Sequence, residues 1–412
     1  MINDNATCDV IVIGGGAAGF YCAVQLAEMQ PRTRILILEK SGNLLSKVRI
    51  SGGGRCNVTH HCFDAGKLSK HYPRGEKQLR KLFKQYGAAE TVAWFSQQNV
   101  PLKTEDDGRM FPVTDNSETI VQALLQRARQ LGVAIHTSEA VSGIVETPEG
   151  LRVTTSKAVY AARFVVVATG GHPRPEAYDF LVRLGHTLRA PIPSLFTFNE
   201  PRRHFADLMG ISVPEAEVRI TGTKFRQTGP LLITHWGLSG PAVIRLSAWA
   251  AEYLHSVSYR FDVLVSWIGD TNEEQVREFL FEQRSTRARQ KVHSHAVYGL
   301  PQRLWLRLCE QAQIEEHRIW NEMGNKQINR LLECLHRYSF SIAGKTTFKE
   351  EFVTCGGVDL AEVDINTMES KRVKNLFFAG EVLNIDGETG GFNFQAAWST
   401  AWTCAKHIAS LT

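Results

Sequence analysis

Hydrophobic positions along the first forty residues change their spacing twice. An uninterrupted apolar run at 10–13 is followed by a glycine cluster, a helical spacing from Ala17 to Met29, and a second apolar run at 35–38. Strands that are apolar on both sides belong to parallel sheets whose two faces are covered by helices. The pattern therefore predicts strand, tight turn, helix and strand, the βαβ unit of nucleotide-binding proteins.

The later pattern returns to this sheet twice. Residues 76–136 have mostly helical spacing, and short alternating segments around a turn at 148–150 predict an antiparallel meander. Apolar runs at 164–168 and 375–380 predict two further buried strands, and the last helix is predicted over 392–410.

The stretch between the two parts of the sheet has a different pattern. Strand-like segments prevail at 191–270, and a charged helical pattern follows at 271–340. We therefore predict an α/β fold of Rossmann type, with a parallel sheet and a β-meander, in a domain formed by residues 1–190 and 341–412. A β-rich insert and a small helical subdomain interrupt that domain.

Composition and charge exclude several classes of protein. The chain has 412 residues, 43% of them hydrophobic, which suits two or three globular domains and excludes a disordered tail. Its net charge of +5 is too small a surplus to indicate a nucleic-acid partner by itself. The uncharged stretch at 10–27 is preceded by acids and contains glycines, so we interpret it as part of the βαβ unit and expect no membrane contact.

Cysteine and histidine spacing gives no disulfide or metal pattern. The eight cysteines include no CxxC pair, which favours a reducing cytoplasm as the location. His60, His61 and Cys62 lack further ligands at metal spacing, so no metal is expected. The sequence does not indicate the oligomeric state.

A glycine fingerprint occupies the turn between the first predicted strand and helix. Gly14, Gly16 and Gly19 have the GxGxxG spacing, and Glu39 ends the second strand twenty residues after Gly19. The first glycine permits the tight turn, the second lets the backbone approach a pyrophosphate, and the third allows close helix packing. An acid at position 39 binds a ribose diol and repels a 2′-phosphate, so the turn predicts FAD or NAD rather than NADP.

The C-terminal segment separates FAD from NAD. A predicted strand ends in Gly380-Glu381, and Gly390-Gly391-Phe392-Asn393 opens the last helix. In FAD proteins such a segment returns to the first βαβ unit, with the acid near the ribityl phosphate and the helix N-terminus beneath the flavin. Both ends of the chain therefore indicate FAD. No second GxGxxG follows a predicted strand, so NAD(P)H is expected only as a transient electron donor.

A further glycine run spans residues 51–57. Its three glycines let backbone amides approach a flavin or a diphosphate. Arg55 supplies positive charge and Asn57 hydrogen bonds, while Lys47 and Arg49 add charge nearby. We predict flavin or phosphate contact in this loop.

These motifs resemble those of the bacterial BaiN/YhiN-like FAD-dependent oxidoreductases, which include proteins described as bile-acid reductases and aminoacetone oxidases. The similar stretches run nearly from end to end, at 51–57, 108–112, 234–241, 353–358, 367–371 and 380–395. The resemblance implies a two-part FAD domain interrupted by a β-barrel-like and helical insert, the same partition as above. One departure follows Gly171, where family members carry a longer glycine-rich connection.

The candidate site is mainly a cofactor site. The predicted cofactor-binding residues are Gly14, Gly16, Ala17, Ala18, Gly19, Glu39, Lys40, Lys47, Ser51, Gly52, Gly53, Arg55, Cys56, Asn57, Ala140, Val141, Ala168, Thr169, Gly170, Gly380, Glu381, Gly391, Phe392, Asn393 and Gln395. No side chain stands out as a catalytic base. His235, near a predicted helix start, and Cys355, where the insert rejoins the sheet, are the catalytic candidates, and a structural role is favoured for both.

The expected activity is hydride transfer between flavin N5 and a small organic substrate. A reductase of an unsaturated or keto compound, driven by NAD(P)H, is favoured over an oxidase of amines or aminoketones that uses oxygen. A tRNA-associated flavoprotein and a non-catalytic flavin-binding module are the remaining alternatives. Basic clusters at 202–204 and 284–291 are interleaved with acids, so nucleic acid is not the expected partner.

Overall fold

The computed structural model describes residues 4–346 and 353–412, in two compact units. The first unit contains the residues up to 194 and those from 353 onward, and the second contains residues 195–346. The division of the insert at residue 270 stays a prediction.

In chain order, the helices and strands run from the first unit to the second and back to the first. Up to residue 194 they are β1 (Asp4–Ile13), α1 (Ala17–Met29), β2 (Ile35–Leu38), α2 (Ser46–Gly54), β3 (Thr59–His60), α3 (Ala65–Ser69), α4 (Glu76–Phe83), α5 (Ala88–Gln97), β4 (Leu102–Thr104), β5 (Arg109–Pro112), α6 (Ser117–Gln130), β6 (Ala134–His136), β7 (Val141–Thr147), β8 (Gly150–Thr155), β9 (Val159–Val167), α7 (Asp179–Val182) and β10 (Leu188–Ser194). The second unit contains β11 (Thr197–Asn199), β12 (Ser212–Ile220), β13 (Arg226–Thr234), β14 (Gly237–Ser239), α8 (Pro241–Trp249), α9 (Ala251–Ser256), β15 (Arg260–Ser266), α10 (Glu273–Thr286), α11 (Gln302–Gln311), α12 (Asn325–His336), β16 (Tyr338–Ala343) and β17 (Lys345–Thr346). The chain then returns to the first unit with β18 (Val353–Val358), β19 (Leu376–Phe378) and α13 (Phe392–Leu411).

The main sheet of the first unit confirms the predicted Rossmann-like fold. Its strand order is β6-β2-β1-β9-β8-β7, and β19 also pairs with β9. The strands β6, β2, β1, β9 and β19 are parallel, and the apolar runs at 10–13 and 35–38 are buried throughout. Helix α1 is buried over residues 18–27 and packs against α13. The continuous apolar runs therefore reflect a sheet that is covered on both faces.

Strand β9 joins the parallel and antiparallel parts of this sheet. Residues 159–162 pair antiparallel with β8, and residues 165–167 pair parallel with β19. The sequence pattern predicts separate strands at 158–160 and 164–168. The structure has one continuous strand. Its residues alternate between buried and exposed as far as Arg163, with Ala161 and Arg163 exposed, and all of them are buried after that.

Two local features differ from the sequence prediction. The region 76–136 contains strands β4 and β5, which form a three-stranded antiparallel sheet with β3. Gly108, at a φ of +85°, lies in the turn between them, so the sequence prediction missed an Asp-Gly turn signal. The prolines at 191 and 193, predicted to begin the insert, lie in β10, which pairs with β18 inside the first unit.

The second unit is built on one antiparallel sheet of seven strands. The strand order is β16-β15-β12-β13-β14-β11-β17. This sheet occupies the place of the predicted β-barrel-like insert. Trp267 of this region shares a hydrophobic core with Trp305 and Trp320 of the helical region. The described helices of both units include none that could span a membrane.

A carboxylate in the first unit links two loops and leads to a pH prediction. Glu362 accepts hydrogen bonds from Thr187 N at 2.8 Å and Arg372 Nη2 at 2.5 Å, and the Arg372 bond is the main cause that lowers its pKa to about 2. Because the folded-state pKa is lowered, this stabilisation is present above the ordinary value of 4.5 and is lost as the pH falls toward 2.

We therefore expect Glu362→Gln to lower thermal stability at neutral pH and to differ less and less from the wild type as the medium is acidified. Thermal unfolding at a series of pH values measures this. A difference in melting temperature that is the same at pH 7 and near pH 2 would contradict the assignment.

Candidate cofactor site

Four segments leave the parallel sheet of the first unit at the same edge. One row of paired residues crosses β2, β1, β9 and β19: Leu38, Ile13, Val167 and Phe378. The segments that follow these strand ends are Glu39, Gly14–Gly19, Ala168–Gly171 and Ala379–Glu381. The carboxyl ends of parallel strands form the crevice in which open α/β folds bind their ligands. Residues predicted from four distant motifs are thus brought together.

In the glycine turn before α1, two of the three glycines are required by close packing and the third is open. A Cβ at Gly14, where φ is +115°, would lie 2.4 Å from Ala168 O, and one at Gly19 would lie 1.9 Å from Gly14 O. No described atom lies within 4 Å of a Cβ built at Gly16. The turn is therefore packed on two sides and open at Gly16, where the first amides of α1, from Ala17 and Ala18, favour an anion.

Glu39 lies at one wall of a cavity of about 350 Å³. Its carboxylate accepts hydrogen bonds from Gly15 N and Ser41 N, both at 2.8 Å, which fixes its orientation. Other predicted residues that line the cavity are Gly14, Lys40, Ala140, Val141, Thr169 and Gly170. A cavity of this size that borders the glycine turn suits the adenosine half of a dinucleotide.

Another part of the cavity wall was not predicted in detail. It is formed by His172 and by residues from the short helical stretch 176–183. Burial lowers the pKa of His172, which favours its neutral form. The only sequence signal for this part of the wall was the segment after Gly171, which differs from the longer glycine-rich connection of family members. Residue types alone do not show that this segment lines the cavity beside β2.

The loop 51–57 contains a run of left-handed backbone. Gly52, Gly53 and Gly54 have φ values of +57°, +68° and +83°, and Cys56 has a φ of +61°. No described atom lies within 4 Å of a Cβ built at Gly53 or Gly54, whereas one at Gly52 would lie 3.0 Å from Phe111. Ser51 closes the loop, because its carbonyl accepts from Cys56 N at 2.9 Å. The middle of the loop is therefore open backbone.

Three side chains of this loop are engaged by the protein itself. The Arg55 guanidinium donates to Glu105 at 2.6 Å and lies 4.0 Å above the Phe111 ring, so it does not extend toward a phosphate. Burial raises the pKa of the Cys56 thiol to about 12, which excludes a thiolate at neutral pH. The Asn57 amide, oriented to satisfy its neighbours, accepts from Gly391 N at 3.0 Å.

The start of α13 is organised by its own side chains. Asn393 accepts from Gly387 N at 2.8 Å and donates to Gly387 O at 3.0 Å. The fully buried Gln395 accepts from Thr59 Oγ1 at 2.6 Å. Asn393 and Gln395, both predicted to bind the cofactor, thus hold the helix start in place. What this helix start offers a ligand is its unpaired backbone amides.

Glu381 lies beside Gly171 and a threonine that sequence reasoning missed. Its Oε2 accepts from Lys47 Nζ at 2.7 Å, and its Oε1 accepts from Thr354 N at 2.9 Å. A Cβ at Gly171 would lie 2.6 Å from both Glu381 Oε1 and Thr354 Oγ1. Gly380, at a φ of +76°, packs against Ala18, and a Cβ there would lie 2.8 Å from the Ala18 methyl.

The Thr354 hydroxyl is an indicator of a ligand. It is fully buried and has no hydrogen-bond partner among the described residues. A buried polar group without a partner is costly, and a bound molecule with hydroxyl or phosphate groups would satisfy it. Together with the open amides, the acid at 39 and the cavity, this donor set fits FAD.

We expect Thr354→Val to leave the stability of the apoprotein unchanged or slightly raised and to weaken FAD binding by up to about tenfold, the value of one hydrogen bond. Thermal unfolding of the apoprotein and titration with FAD, followed by quenching of flavin fluorescence, measure the two effects. Equal FAD affinity in the variant and the wild type would contradict a contact at this hydroxyl.

The two catalytic candidates lie in different units. His235 is exposed in the second unit, and its ring lies edge-on to Trp236 at 4.3 Å. Cys355 is 2% exposed in β18 of the first unit and pairs with Ile192 of β10. Within residues 4–346 and 353–412, no group of three His, Cys, Asp or Glu side chains is arranged to hold a metal ion.

The parallel sheet, the glycine turn and the returning C-terminal segment define an α/β protein with a Rossmann-like FAD-binding fold. Comparison with family models agrees with this class. Residues 8–407 match the model described as HI0933-like protein Rossmann domain, and the chain belongs to that family. The resemblance stated from the sequence motifs is thereby confirmed.

Named relatives are similar over nearly the whole chain. A ribosomal RNA dihydrouridine synthase from Escherichia coli (strain K12) is 29% identical, with 97% of this chain and 98% of the relative covered. One of the same name from Haemophilus influenzae is 28% identical over the same shares. A 3-dehydro-bile acid delta(4,6)-reductase from Clostridium scindens is 26% identical, again over 97% and 98%.

Solved structures of flavoproteins share the fold. A flavocytochrome c3 fumarate reductase in an open conformation has a TM-score of 0.53 at 14% identity, covering 99% of this chain and 79% of its own. A 3-ketosteroid delta1-dehydrogenase from Sterolibacterium denitrificans has a TM-score of 0.52 at 14% identity, covering 99% and 100%. At this level of identity the likeness concerns the fold alone.

Proposed function

We propose that this protein is an FAD-dependent reductase that saturates a carbon–carbon double bond conjugated to a carbonyl group. The observation that carries the cofactor assignment is the convergence of the glycine turn, Glu39, Thr169–Gly171 and Gly380–Glu381 at one edge of the sheet, beside the unpartnered Thr354 hydroxyl. The relatives support the reaction. Dihydrouridine is uridine with its C5–C6 bond saturated, and a 3-keto steroid with double bonds at positions 4 and 6 is a conjugated ketone.

The chain's own residues would bind and orient the cofactor. The amides of Ala17 and Ala18 would hold the diphosphate, and Glu39 would bind the adenosine ribose. Thr354 and Lys47, which both donate to Glu381, would hold the ribityl phosphate, and the N-terminus of α13 would stabilise negative charge on the flavin ring. Bound FAD would supply hydride transfer from N5, with the protein contributing position and electrostatics.

Two kinds of substrate are open to this reaction. A free unsaturated ketone is the substrate expected from the sequence, and the bile-acid reductase supports it. A uridine in RNA is the second candidate, because two relatives bear the name of a ribosomal RNA dihydrouridine synthase. The exposed Arg202 and Arg203 of the second unit have no carboxylate partner among the described residues and are available to phosphates.

The remaining alternatives have less support. The names of these relatives describe a reductase and a synthase of a reduced nucleoside, so we favour reduction over oxidation of amines with oxygen. NAD(P)H is proposed as a transient donor, since the sequence contains one GxGxxG turn after a strand. A flavin-binding module without catalysis would be preferred only if FAD copurified and no turnover were found.

The test begins with anaerobic reduction of the FAD-loaded protein by NADH or NADPH, followed as loss of flavin absorbance near about 450 nm. The reduced protein is then mixed with 4-androstene-3,17-dione or with a ribosomal RNA transcript that contains uridine. We expect one of the two to restore the absorbance, with the saturated ketone or dihydrouridine as product. Reduction of the flavin by amines with reoxidation by oxygen alone, or no reoxidation by either probe, would contradict the proposal.

A further inference from the structure

A histidine and a buried glutamate form a pair beside the start of α13. His71 Nδ1 lies 2.9 Å from Glu388 Oε2, and Glu388 N donates to His71 O at 2.9 Å. The glutamate side chain is 9% exposed and the histidine side chain 36%. The carboxylate therefore holds the ring through Nδ1, while Nε2 has no partner among the described residues and is accessible from outside the first unit.

This pair lies next to the segment proposed to border the flavin. The His71 ring is stacked on Phe392, with centroids 4.2 Å apart and planes 11° apart. Phe392 is the first residue of α13, follows two glycines with positive φ, and is 2% exposed. One hydrogen bond and one stacked ring thus fix the imidazole at the helix end whose amides would face the cofactor.

Other titratable groups around this helix start are unsuited to proton transfer. His60 Nε2 lies 3.0 Å from Asp107 O, its Nδ1 is buried, and burial lowers its pKa. The Tyr72 hydroxyl donates to Phe392 O at 2.6 Å, and burial raises its pKa well above the ordinary value. His71 combines an accessible nitrogen with a carboxylate that fixes the orientation of the ring through Nδ1.

We propose that His71, oriented by Glu388, is the acid that protonates the substrate carbon during reduction. The inference rests on the proposed function. Hydride from the reduced flavin forms a C–H bond at the β-carbon, the π electron pair moves to the α-carbon, and His71 Nε2 delivers its proton there. The double bond gains one hydride and one proton, NAD(P)H would replace the hydride taken from the flavin, and the imidazole regains its proton from solvent.

Two of the described titratable groups face the His71 ring. Glu388 approaches from the loop before α13, and His60 lies 6.0 Å away, centroid to centroid, on β3. Because Glu388 orients the ring through Nδ1, Glu388→Gln should slow flavin reoxidation by the substrate less than His71→Gln does and should leave FAD affinity unchanged.

The test compares His71→Gln, His71→Ala and Glu388→Gln with His61→Gln, an exposed neighbour that contacts Phe63, as the control. With whichever probe reoxidises the wild type, we expect His71→Gln to slow reoxidation by about 100-fold, while FAD affinity and flavin reduction by NAD(P)H stay unchanged. Added imidazole should restore part of the rate in His71→Ala, and His61→Gln should match the wild type.

A second readout is independent of redox turnover. The oxidised holoprotein in D₂O should exchange the α-hydrogens of the saturated product ketone, or of dihydrouridine in the RNA, and His71→Gln should not. Wild-type reoxidation and exchange that persist in His71→Gln, or a lost FAD affinity without rescue by imidazole, would overturn this inference alone. A wild type that neither probe reoxidises would instead refute the proposed function and, with it, the acid.

Discussion

Replacing Gly16 by alanine is expected to weaken FAD binding by at least about tenfold, or 1.4 kcal/mol, while the apoprotein keeps its fold. Gly16 has φ −94° and ψ −168°, which alanine adopts without strain, and a Cβ built there meets no described atom within 4 Å. The methyl group would instead enter the space that the diphosphate needs. Titration of the apoprotein with FAD measures the loss.

The neighbouring glycines provide the matched comparison. In Gly19→Ala the new methyl would lie 1.9 Å from Gly14 O, so this variant should lower the melting temperature of the apoprotein itself. Gly16→Ala should melt like the wild type in the absence of FAD. If Gly16→Ala bound FAD as tightly as the wild type, the diphosphate would have to lie elsewhere.

Breaking the buried ion pair of Arg74 and Asp386 should produce the largest loss of stability. The two side chains form two hydrogen bonds, Asp386 is fully buried, and Ser194 Oγ donates to it at 2.9 Å. Arg74→Met would leave a buried carboxylate without its partner, which costs about 3–5 kcal/mol. Unfolding in urea, compared as free energies in water, measures this loss.

Two further variants distinguish the ion pair from simple packing. The double variant Arg74→Met/Asp386→Asn should recover part of the loss, because no uncompensated charge stays buried. Arg34→Met removes the exposed pair with Asp9 and should cost far less, because water screens that pair. An Arg74→Met protein as stable as Arg34→Met would show that the buried pair contributes little.

The βαβ unit was predictable because its signals are local. The predicted helix from Ala17 to Met29 and the strand at 35–38 have the observed bounds, since a glycine turn and continuous apolar runs determine both. The shared edge of the sheet was also predictable, because parallel strands end on the same side. Strands β4 and β5 were missed because short strands next to helices carry little periodicity.

The site was predictable as a set of segments and less so as individual side chains. The sequence shows that Arg55 and Gln395 are polar, but not that Glu105 and Thr59 take their hydrogen bonds. Such partners are 50 and 336 positions away, so only the folded chain shows whether a ligand or the protein binds each group. Thr354 and His71 were missed because only the folded chain shows that the Thr354 hydroxyl is buried without a partner among the described residues and that His71 pairs with Glu388.

The pairing of β9 with β19 bears on how the protein is made. Until residues 376–378 leave the ribosome, one edge of β9 at 165–167 lacks its partner, and α1 lacks α13, which contacts it along its length. An uncovered strand edge and an apolar helix surface are both prone to association with other chains. The nascent chain is therefore exposed to aggregation until β19 and α13, residues 376–411, have been translated and have packed against β9 and α1.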